Sequence, residues 1–152
     1  MQIALVLHNL LRWAVLIFGV WSVFNAIKGL ISKQPFTKSD DRTNLLFMIF
    51  CDVQLLIGLL LYFGNDWFAR LRAGGDVLKN ASTRFYALEH LTLMLFAWVL
   101  VHVARVIVKK GSMESKHKKA LIFFGLTLFI ILASIPWPFR TGIGRPLFRG
   151  FN

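Results

Sequence analysis

Four long apolar runs, each interrupted by only a few polar residues, take up most of the 152-residue chain. They predict four helices, at about 3–31, 43–63, 84–108 and 119–137. At ~1.5 Å rise per residue each is long enough to cross a hydrocarbon core of about 30 Å, the longer ones with tilt or projecting ends. The connectors carry the expected punctuation. In SKQPFTKSDDR, Pro35 stops one helix and Thr37, Ser39 or Asp40 is suited to cap the next. KKGSMESKHKK is short and basic. The longest connector, 64–83, contains DWFARLR, which predicts a short interfacial helix with Trp67 and Phe68 in the headgroup layer, broken by Gly74-Gly75. The tail PWPFRTGIGRPLFRGFN is too rich in Pro and Gly for a fifth span. The expected fold is all-α: an integral membrane four-helix bundle, one domain over 1–152, with two short connectors and one longer one on the opposite side.

Composition agrees. Hydrophobic residues make up 57% and charged residues 16%, and mean hydropathy is +0.62, whereas an ordinary soluble domain is about a quarter charged. A net charge of +11 would suggest nucleic acid in a soluble protein. Here Lys and Arg punctuate apolar segments instead of forming one basic surface, so they read as topology signals and headgroup contacts. The partner implied is a lipid bilayer and not nucleic acid. The N-terminal run lacks a basic leader region and exceeds a signal-peptide core, which predicts a retained helix. Cys51 is the single cysteine, so no intrachain disulfide forms.

Basic residues orient the bundle. Lys28, Lys33, Lys38, Arg42, Lys109, Lys110, Lys116, Lys118 and Lys119 flank the two short connectors. Arg70, Arg72, Lys79, Arg84, Arg140, Arg145 and Arg149 lie on the other side. Nine against seven predicts both termini outside and the short connectors in the cytoplasm.

Candidate chemistry rests on histidines at matched depth. The first and third helices run the same way, and His8 and His90 each lie about five or six residues in from the same surface, so they differ in depth by only a few Å. An imidazole in hydrocarbon is costly and usually has a role. Two of them facing each other are the metal ligands of a bis-imidazole haem site. Arg12 is one turn below His8 on the same face, near mid-membrane, where it needs a counter-charge. Asp52 on the second helix is the simplest partner for a buried Arg12–Asp52 ion pair, and Glu89, next to His90, is the competing one. His102 is about 120° around the third helix from His90, with no histidine on the first helix at its depth, so a second bis-histidine haem is not expected. Arg105 is expected to reach the headgroups, and His117, in a lysine cluster, to be solvated or at the lipid surface. Gly19, Ser22 and Ala26 lie on one face that permits close helix approach, as Gly58 and Gly125 do on other helices. The chain has no P-loop, GxGxxG, HExxH, CxxC or GxSxG.

LHNLLRW, VQLLIGLLLYF, RFYALEHLTLMLFAWVLVHVAR and SKHKKALIFFGLTLFIILASIPWPFR resemble a family of small four-helix, cytochrome-b-like membrane proteins of the Bacteroidetes. The resemblance spans nearly the whole chain. Its most specific pieces are the EH pair, the Gln-Leu-Leu-hydrophobic-Gly segment and the SIPWPF exit from the last helix. It implies one b-type haem, an inner-membrane location with periplasmic termini, and electron transfer. The chain departs from the respiratory cytochrome b pattern of two in-phase histidines on each of two helices, since it offers one cross-helix pair.

The sequence therefore predicts a membrane electron carrier, more than a stand-alone enzyme, holding one haem b through His8 and His90 with Arg12 and Glu89 in support. The bilayer, a quinol or other membrane donor, or a larger respiratory complex are the partners in view, and oligomers are allowed. Two other classes fit the same residues: a haem-free structural or accessory subunit, and a small proton or ion conductor using Arg12, Asp52 and Glu89.

Overall fold

The structure, a computed structural model, describes residues 1–75 and 79–148. Arg149, one of the orienting charges, lies outside the described residues. Helix is the only regular structure among them: α1 (Gln2–Ile31), α2 (Lys38–Gly64), α3 (Trp67–Ala73), α4 (Ala81–Arg84), α5 (His90–Lys110) and α6 (Met113–Ser134). A π-helical turn, Phe85–Glu89, joins α4 to α5, so that Ala81–Lys110 is one rod. Four rods are long and apolar enough to cross a membrane.

The rods form a ring in the order α1, α2, α5, α6, with the thinnest seam between α2 and α5. This places α1 diagonally across from α5. The seam facing the bundle axis is made of small or flat side chains. Ala97, Val101, Ala104 and Val108 are fully buried at spacings of three and four along α5, the rows that let two helices approach. Phe47, Phe124 and Ile131 fill the space beside them, and many other large apolar residues face outward, among them Ile17, Phe24, Leu56, Phe96 and Phe129. Helices apolar on every side suit a bilayer, where lipid competes with the interior for apolar groups. Inside, polar contacts replace hydrophobic contrast: the Ser22 hydroxyl donates to Asn44 Oδ1 across α1 and α2 at 2.6 Å. Gly19, Ser22 and Ala26 are buried on the expected face. A Cβ at Gly19 would come within 3.0 Å of Leu128 and Phe47. Gly125 differs: nothing lies within 4 Å of a Cβ there, so it serves no close approach.

Helix ends follow local chemistry and shift three expected boundaries. Thr37 caps α2 in a reciprocal box with Asp40, which starts this helix at Lys38 instead of 43. Ser112 opens α6 at Met113, six residues before the expected start, because the lysine-rich segment has good helix formers and Glu114 in the first turn. The same helix stops at Ser134 and not 137, since Pro136 has no amide hydrogen and holds Ile135 extended. Arg140 then donates to the carbonyls of Ala133 and Ile135, both at 3.2 Å. The short helix expected in the long connector forms as α3, ended by Gly74 and Gly75 at positive φ.

The described part of the tail, residues 135–148, contains no helix. It folds back over the end of the bundle that carries the N-terminus: Trp13 Nε1 donates to the Leu147 carbonyl at 3.3 Å, and the Trp13 ring stacks on Phe148 at 5.3 Å.

Candidate functional site

A cavity of about 470 Å³ opens inside this terminus-bearing half of the bundle, within the usual range for small-molecule and cofactor sites. His8 from α1 and His90 from α5 both line it. Their ring centres are 6.5 Å apart and their planes are 74° from parallel. The diagonal placement of α1 and α5 thus aims two imidazoles at the bundle axis from opposite sides.

Each ring is positioned by a different device. His90 follows the π-helical turn, where its amide bonds back five residues to the Phe85 carbonyl. Such turns frequently mark functional positions in helices. Its Nδ1 lies 2.9 Å from the Ser134 carbonyl. Only a donor can bond a carbonyl, so the proton is assigned to Nδ1 and Nε2 keeps its lone pair. The Ser134 carbonyl is available because the helix ends there and leaves it without an intrahelical partner. The Pro-containing SIPWP exit of α6 therefore sets the tautomer of a histidine on another helix. An outer hydrogen bond of this kind accompanies nearly every metal-binding histidine.

On the other side, Gly58 of α2 faces the His8 ring, and a Cβ there would come within 3.2 Å of Cε1. Gln54, one turn earlier on α2, donates to the His8 backbone carbonyl at 2.9 Å. His8 Nδ1 is buried and has no hydrogen-bond partner, as is Gln54 Oε1. An unpartnered buried polar atom costs about 1–3 kcal/mol, and such atoms call for an explanation.

Charge in the cavity has one sign. Arg12, Arg70 and Arg145 line it, with no Asp or Glu among the described lining residues. Arg12 donates to the Leu147 carbonyl of the tail, and Nε of the same guanidinium is buried without a partner. Arg70 sits 4.8 Å over the Trp67 ring. Arg145 donates to the Tyr86 hydroxyl at 2.9 Å, and Tyr86 in turn donates to the Ile143 carbonyl at 2.7 Å. The rim is thus cationic and aromatic, and the walls below it are apolar: Leu5, Val15, Leu91, Met94 and Ala97.

Two expected partnerships are corrected. Arg12 and Asp52 do not find each other, because Arg12 is drawn up to the tail carbonyl. Asp52 instead accepts from Trp98 Nε1 at 2.7 Å and lies 3.3 Å from His102 Nε2. Glu89 does not support the histidines either. The π-helical turn rotates it outward, where it pairs with Arg84 at 2.7 Å, both side chains about 40% exposed. Arg105 makes a two-point contact with Asp41 in the first turn of α2, with Nη2 to Oδ2 at 2.9 Å. His117 is not solvated: it is 5% exposed, against Gly29 and Phe36. Arg12, Asp52 and Glu89, the residues of the conductor alternative, end in three separate clusters.

Arg70, Arg145, Gly58 and the Ser134 carbonyl were not singled out from the sequence as site groups. The arginines counted there only as topology charges, and a backbone carbonyl has no signature except the proline that frees it.

The donor set can be tested against a haem. Metal–imidazole bonds of about 2 Å put the centres of two rings on opposite sides of one metal roughly 6 Å apart, close to the observed 6.5 Å. Among the described residues no three His, Cys, Asp or Glu side chains converge as a metal cluster. Two imidazoles alone suit a metal that brings its own equatorial ligands. The walls are apolar, and the arginines suit a ligand with carboxylates at one edge. On each of these counts the residues fit.

No family model matches this chain, and neither a curated protein nor a solved structure is detectably similar to it.

Proposed function

We propose that the protein is a membrane electron carrier in which His8 and His90 would hold one b-type haem between α1 and α5. The observation that carries this is the facing pair of imidazoles in an apolar, arginine-rimmed cavity, one of them with its outer nitrogen already bonded to a carbonyl. The bound group would supply one-electron redox chemistry. The chain's own residues do the rest. Ser134 fixes the His90 tautomer, Gly58 makes room for the His8 ring, and Arg12, Arg70 and Arg145 neutralise carboxylates at the cavity rim. The apolar walls exclude water. The nearby arginines would stabilise the more negative, reduced state of the bound group and so raise its potential. Within this proposal the membrane is a bacterial inner membrane with the terminus-bearing end outside. The donor is a quinol or another membrane component, and the acceptor is a partner at the outer surface.

The test is a visible spectrum of the purified protein, oxidised and dithionite-reduced, with a haemochrome assay, after expression with ample haem. The expected result is a reduced α-band and one haem per chain, lost in both His8→Ala and His90→Ala. A colourless protein, or two variants that keep the Soret band, would overturn the assignment and leave the accessory-subunit alternative.

A further inference from the structure

The opposite end of the bundle, where the two short connectors lie, holds a second cavity that the haem proposal does not use. Its volume is about 240 Å³, and His117, Asn25, Lys28, Gln34, Thr37 and Asp40 contribute to its lining. His117 is the unusual member. It is 5% exposed, yet neither Nδ1 nor Nε2 has a hydrogen-bond partner. One of these nitrogens carries a hydrogen in either neutral tautomer, so a buried donor is left without an acceptor. The fold is built to hold the ring there. Gly29 of α1 lies directly beneath it, and a Cβ at that position would collide with three atoms of the imidazole. Phe36 closes the other side at 5.2 Å, with the Lys116 ammonium 5.4 Å over the Phe36 ring.

The remaining lining groups define the ligand. Lys28 brings a cation and Asn25 and Gln34 bring amides, which together with an imidazole N–H suit a phosphate. Asp40 argues against a purely anionic molecule. Its two capping bonds, from the Thr37 amide and hydroxyl at 2.7 Å, both use Oδ2 and leave Oδ1 uncommitted, which suits an ammonium. The cavity also has a polar-to-apolar direction. Trp21 lines its inner side, seven residues, or about 10 Å of helix, deeper than Lys28. An exposed Trp at that depth marks the boundary between headgroups and acyl chains. Phe24, 60% exposed on the same helix, continues the apolar surface.

We infer that this cavity binds the headgroup of an amine-bearing phospholipid, with the phosphate at Lys28, Asn25 and His117 and the ammonium at Asp40. The site stands apart from the haem cavity and does not depend on what fills it. Its role would be to fix the α1–α2 and α5–α6 hairpins to the bilayer surface at a defined depth.

The experiment is native mass spectrometry of the delipidated full-length chain in detergent, titrated separately with dihexanoyl phosphatidylethanolamine, dihexanoyl phosphatidylglycerol and inorganic phosphate. Histidine ¹⁵N shifts of the same samples report whether His117 is touched. One saturable phosphatidylethanolamine is expected, with a shift of the His117 nitrogens. Lys28→Gln, an exposed position that leaves packing intact, should weaken it about tenfold, the scale of one charge-assisted hydrogen bond. His117→Phe should remove it, and Asp40→Asn should erase the preference over phosphatidylglycerol. Absence of saturable binding, or binding unchanged in Lys28→Gln, overturns the site. Equal binding of inorganic phosphate overturns the lipid as its source, and a preference for phosphatidylglycerol overturns the role of Asp40.

Discussion

Histidines inside this bundle sit in two kinds of surroundings, which treat them differently. In the half that carries the N-terminus, His8 and His90 face each other across a cavity of about 470 Å³, and His8 Nδ1 has no partner. Near the middle of the bundle, His102 is fully engaged: Nδ1 is 3.0 Å from the Trp98 carbonyl and Nε2 is 3.3 Å from Asp52. Asp52 in turn takes the Trp98 indole hydrogen, and one turn further along α5 Arg105 is matched by Asp41. All are ionisable groups within membrane-length helices, where such groups are usually functional. The comparison shows how to separate the cases. A polar group whose bonding capacity is met by its neighbours has a structural explanation already, and one held in place beside open space does not.

Substitutions can break this contrast, and the largest effect is expected on cofactor content. His8→Ala and His90→Ala should each abolish haem binding, whereas His102→Ala should leave one haem per chain and an unchanged reduced α-band. If His102→Ala bleaches the protein as thoroughly as the other two, the contrast between open and engaged histidines is wrong. Next is Arg105→Gln, which leaves Asp41 facing the bundle without its cation. Because Asp41 is 41% exposed and its partner only 11%, the loss should lie between that of a surface and a buried pair, about 1–2 kcal/mol of unfolding free energy, with haem content unaffected. Asp52→Asn is expected to do less, within ~1 kcal/mol, because an amide oxygen still accepts from Trp98. Proton flux in liposomes should not change in this variant; a clear fall would revive the conductor alternative. The smallest effect tests packing. Gly125→Ala meets no atom within 4 Å and should stabilise α6 by about 0.5 kcal/mol through helix propensity, measured as a small upward shift in thermal unfolding.

Much of the molecule was legible in the chain. Membrane-length apolar runs, with breaks at Pro35 and Gly74-Gly75, are local signals, and the four long helices and the short α3 followed them, whereas the stop before Pro136 came three residues earlier than expected. The matched depth of His8 and His90 was also legible, because rise per residue turns sequence position into depth. Less legible were pairings between helices. From depth alone Arg12 and Asp52 look like partners, but the tail carbonyl of Leu147, 135 residues away, takes the guanidinium. Glu89 looked like a neighbour of the histidine site because it directly precedes His90 in sequence, although successive residues of a regular helix point about 100° apart. The π-helical turn inserts an extra residue and swings it to the surface beside Arg84.

The sequence by itself determined the class of protein and the level of the candidate site along the bundle, since hydropathy and helical rise are properties of single segments. Only the tertiary structure decided which helices stand diagonally opposite, which carbonyl meets His90, and that Arg70 and Arg145 share a rim with Arg12. Those relations depend on how helices rotate about their own axes and on where an irregular tail comes to rest. In a bundle apolar on every side, periodicity does not encode that rotation. It is set by small residues, a π-helical turn and a handful of buried polar contacts, each between segments far apart in the chain.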